Sequence, residues 1–261
     1  MATISIISIV KDHAAGLRET FESVRNQDCI DWELIIVMAP SSDNTATVAH
    51  NLQLADSRIR IVEQRSIGIY GAMNEGLESA RGEFIWFMNA GDKFASPFVL
   101  SHATQEISRG TFGMVIGGYQ IDKGKKDQIY SYPDGRLTVK GFAFTRRGGC
   151  HQAMIFKTQL LKNLGGFDTS YSLASDFDLV LKVIKSEGAR RVAFVYASIE
   201  PGGRADQGIF QVHDQKHQIR RNLLGGPFVH IASLLWTFMA RAKIKTRTWL
   251  KGIKMVVHQR G

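Results

Sequence analysis

The sequence predicts an α/β protein, an open sheet with helices on both faces, followed by a basic amphipathic helical tail. Three observations carry this prediction. From Ile4 to Phe94, short β-branched or aromatic runs alternate with segments of helical apolar spacing. Within that stretch, Gly82 to Phe94 (GEFIWFMNAGDKF) is an apolar run that passes at once into a polar turn. The charge is also uneven. Asp214 to Gly261 holds ten Lys and Arg against one acid, which accounts for the whole formal net charge of +9 and leaves residues 1–213 neutral. The expected division is therefore a folded domain over 1–213 and a tail over 214–261.

In chain order, Ile4–Val10 is a β-branched run suited to a central strand. Gly16–Asn26 places Leu17, Thr20, Phe21 and Val24 on one helical face. Glu33–Met38 (ELIIVM) is a second strand. The turn Pro40-Ser41-Ser42-Asp43 can cap a helix over Thr45–Gln53. Ile59–Val62 is a third strand, and Gly68–Arg81 has helical spacing through Ile69, Ala72, Met73, Gly76, Leu77 and Ala80. Glu83–Met88 is a fourth strand, apolar enough to be covered on both faces. Beyond it the order changes. Phe98–Ser108 reads as a helix, Met114–Tyr119 and Gln128–Tyr132 as strands, and Thr138–Gly149 as a basic loop. Ala153–Phe156 is a strand, Thr158–Leu164 a short helix, Ser175–Ser186 a helix and Val192–Tyr196 a strand.

Composition narrows the class. A chain of 261 residues with 44% hydrophobic and 22% charged residues is that of an ordinary folded protein. Two cysteines, Cys29 and Cys150, make neither a disulfide framework nor a metal-site spacing, which fits a reducing, cytoplasmic setting. The N-terminus has no basic region before its apolar run and reads as a strand, not a signal peptide. No apolar run reaches the roughly 18 residues of a membrane span.

The turn after the fourth strand is the first candidate site. Asn89 and Asp92 stand three residues apart on a tight loop, and Gly91 between them is free to take positive φ. In open α/β sheets ligands sit at the carboxyl ends of strands. A carboxylate there can hold a divalent cation that in turn holds a phosphate. The same two residues equally suit a turn with no further role.

Several stretches together resemble the inverting nucleotide-sugar glycosyltransferases of family two, and more narrowly the branch of bacterial exopolysaccharide and colanic-acid gene clusters. They are ISIISIVKD, SVRNQDCIDWELIIV, PSSDNT, GIYGAMNEGLESARGEFIWFMNAGD, CHQAMIF, GGFD and ASDFDLVLK, in the family's order from about Thr3 to Gly203. The resemblance implies a GT-A fold, a single Rossmann-like mixed sheet. It implies that Asp92, with Asn89, occupies the metal motif and binds Mn²⁺ or Mg²⁺ on the diphosphate of a UDP- or GDP-sugar. It further implies donor contacts at Val10, Asp43, Asn89 and Gly91. Asp176 matches the catalytic base, which takes the acceptor hydroxyl's proton; helix capping by Ser175 and Asp176 is the simpler alternative. His151, Gln152, Asp178 and Arg204 are implied on the acceptor or phosphate side. Asp176 and Asp178, two apart on a helix, do not share a face. Cys150 beside His151 invites a nucleophile reading that nothing else in the sequence supports. Arg146 and Arg147 suit either a phosphate contact or a solvated loop.

Three family acids are replaced, by Met38, Ser66 and Gly71. Methionine cannot replace a carboxylate as acceptor for a base N–H. Either backbone groups read the base, or the donor differs, or the chain is a nucleotide-sugar-binding or scaffold subunit with impaired chemistry. In the tail, Phe228–Val257 carries apolar residues at helical spacing among Lys and Arg, with Trp236 and Trp249. That pattern suits either peripheral docking on an anionic membrane, as an enzyme with a lipid-linked glycan acceptor requires, or a helix packed with its basic side in water. No nucleic-acid motif accompanies it.

Overall fold

The structure is a computed structural model and describes residues 3–121, 128–145, 149–202 and 208–239. Strand β1 (Ile4–Val10) lies at the centre of the parallel half of the sheet, and nearly all of it is buried. Its neighbours are β2 (Trp32–Met38) and β4 (Phe84–Phe87), both parallel to it, and β3 (Ile59–Glu63) continues beyond β2 in the same direction. Every residue of β2 and β4 is buried. Strands covered on both faces must be apolar throughout, which is why these segments are continuous hydrophobic runs and not alternating ones.

Past β4 the sheet becomes mixed. β9 (Met154–Lys157) runs antiparallel to both β4 and β6 (Met114–Ile121), and β10 (Ala189–Ile199) is parallel to β6. β5 (Lys93–Phe94) and β8 (Gly135–Leu137) pair antiparallel with β10, and β7 (Gln128–Tyr130) with β6. The path β3-β2-β1-β4-β9-β6-β10-β5 is thus one mixed sheet. Ile4, Ile6, Leu34, Ile36, Phe84 and Trp86 pack on one face with Leu17, Phe21 and Val24 of α1 (Ala14–Arg25) and with residues of α2 (Thr45–Ala55) and α4 (Val99–Ser108). On the other face α3 (Gly68–Ser79) packs on β1 and β2, and α6 (Thr158–Asn163) on β9.

Element boundaries fall within a few residues of the sequence expectation, with two exceptions. The expected basic loop contains a short helix, α5 (Val139–Ala143), started by Thr138, whose hydroxyl accepts from the Gly141 N–H at 3.0 Å. It buries Phe142, which stacks on Phe177 of α7 (Ser175–Ser186) with centroids 5.5 Å apart. Five residues are too few for helical periodicity to register. β10 is also longer than expected, because its ends pair with β8 and β5, short partners with little sequence signal.

The chain divides into two compact units at Gly202/Gly203. In the second, the helix Ile209–Leu224 runs through positions 213 and 214, where the charge asymmetry begins, and residues 227–239 are helical. The remainder of the expected tail helix, Trp249 included, lies outside the described residues.

A buried polar network ties β1, β2 and β3 to the start of β4. Glu33, almost fully buried, accepts from Ser5 Oγ at 2.6 Å, the Arg81 N–H at 2.8 Å and Arg60 at 2.9 Å. Burial pushes the Glu33 carboxyl upward, but the hydrogen bonds and the Arg60 charge outweigh it and hold the group below its ordinary 4.5. A depressed folded pKa contributes stability that is fully present above 4.5 and is lost as pH falls through the lower folded value. Glu33→Gln is therefore expected to cost about 1–3 kcal/mol near neutral pH. Denaturant titrations across pH should show that difference shrinking as the solution is acidified below the ordinary carboxylate range.

Candidate active site

The polar turn after β4 is shaped from below by α1. Thr20, wholly buried, accepts from the Gly91 N–H at 3.0 Å and donates to the Asp92 carbonyl at 2.7 Å. The turn closes on itself through the Asp92 N–H and the Asn89 carbonyl, 3.0 Å apart. Gly91 takes φ +98°, the left-handed conformation its position suggested. Any Cβ there would also fall 2.1 Å from Glu200 Oε2 and 2.8 Å from His13 Nε2. Those two side chains lie 2.9 Å apart and close over the glycine. Glu200 follows directly on β10, whose pairing with β5 brings it to the turn.

Asp92 is buried, with 6% of its surface exposed, and both carboxylate oxygens are engaged. Oδ1 accepts from the Glu200 N–H at 3.0 Å and Oδ2 from Gln152 Nε2 at 2.7 Å. Desolvation nevertheless dominates and pushes this carboxyl above its usual range, against the pull of Gln152 and the Glu200 N–H. Gln152 is oriented in turn by Cys150, whose thiol donates to Oε1 at 2.7 Å, leaving the amide nitrogen to face Asp92. Burial drives the Cys150 thiol far up, so it is no thiolate nucleophile. The short 3-10 turn His151–Ala153 is anchored by Trp86, whose indole N–H donates to the Gln152 carbonyl at 2.7 Å.

The same turn carries His151 to the second carboxylate. Its Nδ1 is 3.6 Å from Asp176 Oδ2, and its Nε2 is 3.4 Å from Asn89 Nδ2. If the Asn89 amide donates to Nε2, the ring proton sits on Nδ1 and faces Asp176. Tyr70 of α3 donates to Asp176 Oδ1 at 3.2 Å, and burial first, then the Asp176 charge, pushes its phenol far above the usual range. Asn74, one turn along α3, brackets Phe167 by accepting from its N–H at 2.8 Å and donating to its carbonyl at 2.9 Å. Phe167 stacks on Tyr70 with centroids 5.4 Å apart. The segment before α7 is thereby held against the helix that carries Tyr70. Asp176 does not cap α7 in the usual way. Its N-cap is Ala174, without a side-chain cap bond, and Asp176 Oδ1 accepts from the next N–H, Phe177, at 2.8 Å.

The remaining sequence candidates are distributed differently. Asp178 is buried and paired with Lys182 one turn on, at 2.7 Å. Gln152, expected on the acceptor or phosphate side, bonds Asp92. Val10 packs in the core, and its carbonyl accepts from the Ala39 N–H at 3.0 Å. Asp43 accepts from the Thr45 and Ala14 N–H groups at 2.9 and 3.3 Å, so it builds the start of two helices. Asp12, at φ +48°, interlocks with the same loop, its Oδ1 accepting from the Ser42 N–H at 2.5 Å. Arg204, Arg146 and Arg147 lie outside the described residues. Thr20, Tyr70, Glu200 and His13 were not among the sequence candidates. Only Tyr70, inside the GIY stretch, had a local signal.

Of the three positions where the family resemblance implies an acid, two, Ser66 and Gly71, are neighbours. A Cβ at Gly71 would fall 2.6 Å from Ser66 Oγ, and that hydroxyl is buried without a hydrogen-bond partner. Met38 is buried at the end of β2, opposite Val10 and Glu63.

Among the described residues no three His, Cys, Asp or Glu side chains are grouped to hold a metal ion unaided. Oxygen donors are nonetheless present. Asp92 is a desolvated carboxylate, and Asn89 Oδ1 is buried with no hydrogen-bond partner. One or two protein oxygens suit a hard cation that takes its other ligands from phosphate and water. The residues present fit such an ion.

The sheet topology is that of a GT-A glycosyltransferase, and the comparisons agree. The profile described as glycosyl transferase family 2 matches residues 5–165, more than half the chain. The chain belongs to that family. It is 31% identical over 170 residues to the GalNAc(5)-diNAcBac-PP-undecaprenol beta-1,3-glucosyltransferase of Campylobacter jejuni, a match covering 62% of this chain and 54% of that one. It is 26% identical over 180 residues to a PGL/p-HBAD biosynthesis glycosyltransferase of Mycobacterium bovis, covering 68% of each. Among solved structures, S. aureus TarS 1-349 in complex with UDP-GlcNAc superposes with TM-score 0.73 at 15% identity, covering 92% of this chain and 73% of that one. The mannosyltransferase PcManGT of Pyrobaculum calidifontis, in complex with GDP-Man and Mn²⁺, gives 0.65 at 17%, covering 98% and 80%. At these identities the structural likeness concerns the fold.

Thr20 offers a direct check on how the turn is held. Thr20→Val keeps the shape but leaves the Gly91 N–H unpaired. It is expected to cost about 1–3 kcal/mol in chemical denaturation. Thr20→Ser, which keeps the hydroxyl, should recover most of that loss.

Proposed function

We propose that this chain is an inverting, metal-dependent glycosyltransferase. It transfers one sugar from a UDP- or GDP-sugar to a lipid-linked or polysaccharide acceptor in bacterial surface glycan synthesis, on the cytoplasmic face of the membrane. One observation carries the reading. Consecutive residues of a single turn, His151 and Gln152, reach two different carboxylates, Asp176 at 3.6 Å and Asp92 at 2.7 Å. An inverting transfer needs that division of labour, one carboxylate toward the leaving diphosphate and another toward the incoming hydroxyl. The names of the relatives support the donor and acceptor classes: a nucleotide sugar in the TarS and PcManGT complexes, and an undecaprenol diphosphate glycan in the Campylobacter enzyme.

In this mechanism Asp176 accepts the proton of the acceptor hydroxyl as its oxygen bonds to the anomeric carbon. The bond from that carbon to the nucleoside diphosphate breaks on the opposite side, so the anomeric centre inverts without a covalent enzyme intermediate. Tyr70 donates to one oxygen of Asp176, and His151 lies 3.6 Å from the other. Asp92, with Asn89 Oδ1 beside it, would hold a divalent cation, which supplies charge neutralisation for the departing diphosphate.

Asp176→Asn is expected to lower transfer by about 10²–10⁴-fold while donor binding by calorimetry is retained. Full turnover in that variant would remove Asp176 from the mechanism. A panel of sugar nucleotides assayed with Mn²⁺ and with EDTA tests the class itself. Tight binding with no transfer would favour a binding subunit, a reading motivated by the acids replaced at Met38, Ser66 and Gly71.

Asp92 gives a second readout that does not depend on activity. Its folded pKa is raised above 3.8, so the ionised group costs stability as pH rises past that value, and fully once the folded group has ionised. A cation at this carboxylate offsets that cost. Mn²⁺ with the nucleotide sugar should therefore raise the thermal midpoint at neutral pH and do so less as pH falls toward the folded pKa. In Asp92→Asn the added effect of Mn²⁺ should be largely lost.

A further inference from the structure

The second unit contains a helix whose polarity is reversed. In the helical residues 227–239, the large side chains turned to solvent are Phe228 (86% exposed), Ile231, Leu234, Leu235, Phe238 (72%) and Met239. Their spacing forms one broad stripe along the helix. The side chains that are fully buried are small and polar, Ser233 and Thr237. A helix of a water-soluble protein carries the opposite arrangement. The polar side continues into the preceding helix: Ser233 Oγ lies 2.7 Å from His217 Nδ1, and the His217 ring is 5.4 Å from that of His230. Arg220 is buried in the same unit, and its guanidinium is pushed down to about 10 by desolvation. Six large apolar side chains on one exposed face exceed the isolated hydrophobics found on ordinary surfaces.

We propose that this face inserts into the headgroup–acyl boundary of an anionic membrane, with the helix lying in the plane of the interface. The inference deepens the reading of a lipid-linked acceptor and rests on it for its purpose, though not for its geometry. Length argues against a span. No uninterrupted apolar run of the sequence reaches the roughly 18 residues of a span, and no described helix is long and apolar enough to cross a membrane. Charge selects the occupant. From Gln215 to Gly261 the sequence has ten Lys and Arg and no acid. An anionic leaflet complements that segment, whereas a second copy of the chain would bring two strongly basic segments together.

The test is flotation of the full-length chain with two kinds of vesicle, phosphatidylethanolamine with phosphatidylglycerol, and phosphatidylcholine alone. The wild type is expected to float with the anionic vesicles, and less with them as salt is raised. L235E/F238E should lower that partition by roughly a hundredfold, since two buried apolar side chains are lost. Phe228→Glu, at the other end of the stripe, should weaken it in the same direction. Circular dichroism checks that both variants keep their helix content, and their turnover of a sugar nucleotide in detergent-free solution should match the wild type. Wild type that fails to float, or variants that float equally well, would overturn the proposal. So would light scattering that shows a wild-type dimer converted to monomer by L235E/F238E without vesicle binding. Vesicle binding with no sugar-nucleotide turnover would leave the membrane face standing and remove the glycosyl-transfer reading. Turnover without vesicle binding would do the reverse.

Discussion

A buried carboxylate governs the site. Asp92 sits in the turn after the wholly apolar strand β4, where it is largely withdrawn from water, and desolvation pushes its pKa up despite two hydrogen bonds. Much of the surrounding architecture is what such a group requires. Thr20 fixes the turn that presents it, Gln152 and the Glu200 N–H engage its oxygens, and Cys150 sets the direction of the Gln152 amide. Burying a charge is tolerated when it is hydrogen-bonded and a function depends on it.

The His151–Gln152 turn joins this carboxylate to the second one. One residue of this turn faces Asp176 and the next bonds Asp92, so a single short turn borders both carboxylates. The turn itself is fixed by Trp86, a fully buried residue of β4 that also packs edge-on against Phe94 and Tyr196. The strand that delivers Asp92 therefore also positions the turn that connects it to Asp176. On the other side, α3 supplies Tyr70 to Asp176 and Asn74 to the segment before α7. Tyr70 and Asn74 of the GIYGAMN stretch thus each have a structural partner. Ser66 and Gly71, two of the positions where the resemblance implies an acid, lie against each other.

Much of the fold was legible because its signals are local. The parallel strands are continuous apolar runs, and the helices between them have clear apolar faces, so β1 to β4 and α1 to α3 fall close to where periodicity places them. α5 was not legible, since five residues carry too little periodicity. The length of β10 was not legible either, since it depends on pairing with β5 and β8, far away in sequence. Among the candidate site residues, Asn89, Asp92 and Asp176 stood out because polar side chains interrupt apolar patterns there. Thr20 and Glu200 did not, because a threonine on a buried helix face and a glutamate after a strand are unremarkable until the turn at Gly91 is brought between them. Asp43 and Asp178 were candidates by the resemblance, and the structure adds that Asp43 builds helix starts and Asp178 pairs with Lys182.

The sequence by itself determined the fold class, the family and the existence of a polar turn at the end of β4, because each depends on residues adjacent in the chain. It also determined that the net positive charge resides in the last fifth of the protein. Tertiary structure decided what those residues do. The turn is held from α1, its aspartate is oriented by a glutamine sixty positions later, and His151 faces the carboxylate that opens α7. It also decided which way the tail helix turns. Apolar spacing says that a helix has a hydrophobic face, but only packing shows that in residues 227–239 this face is the one left exposed.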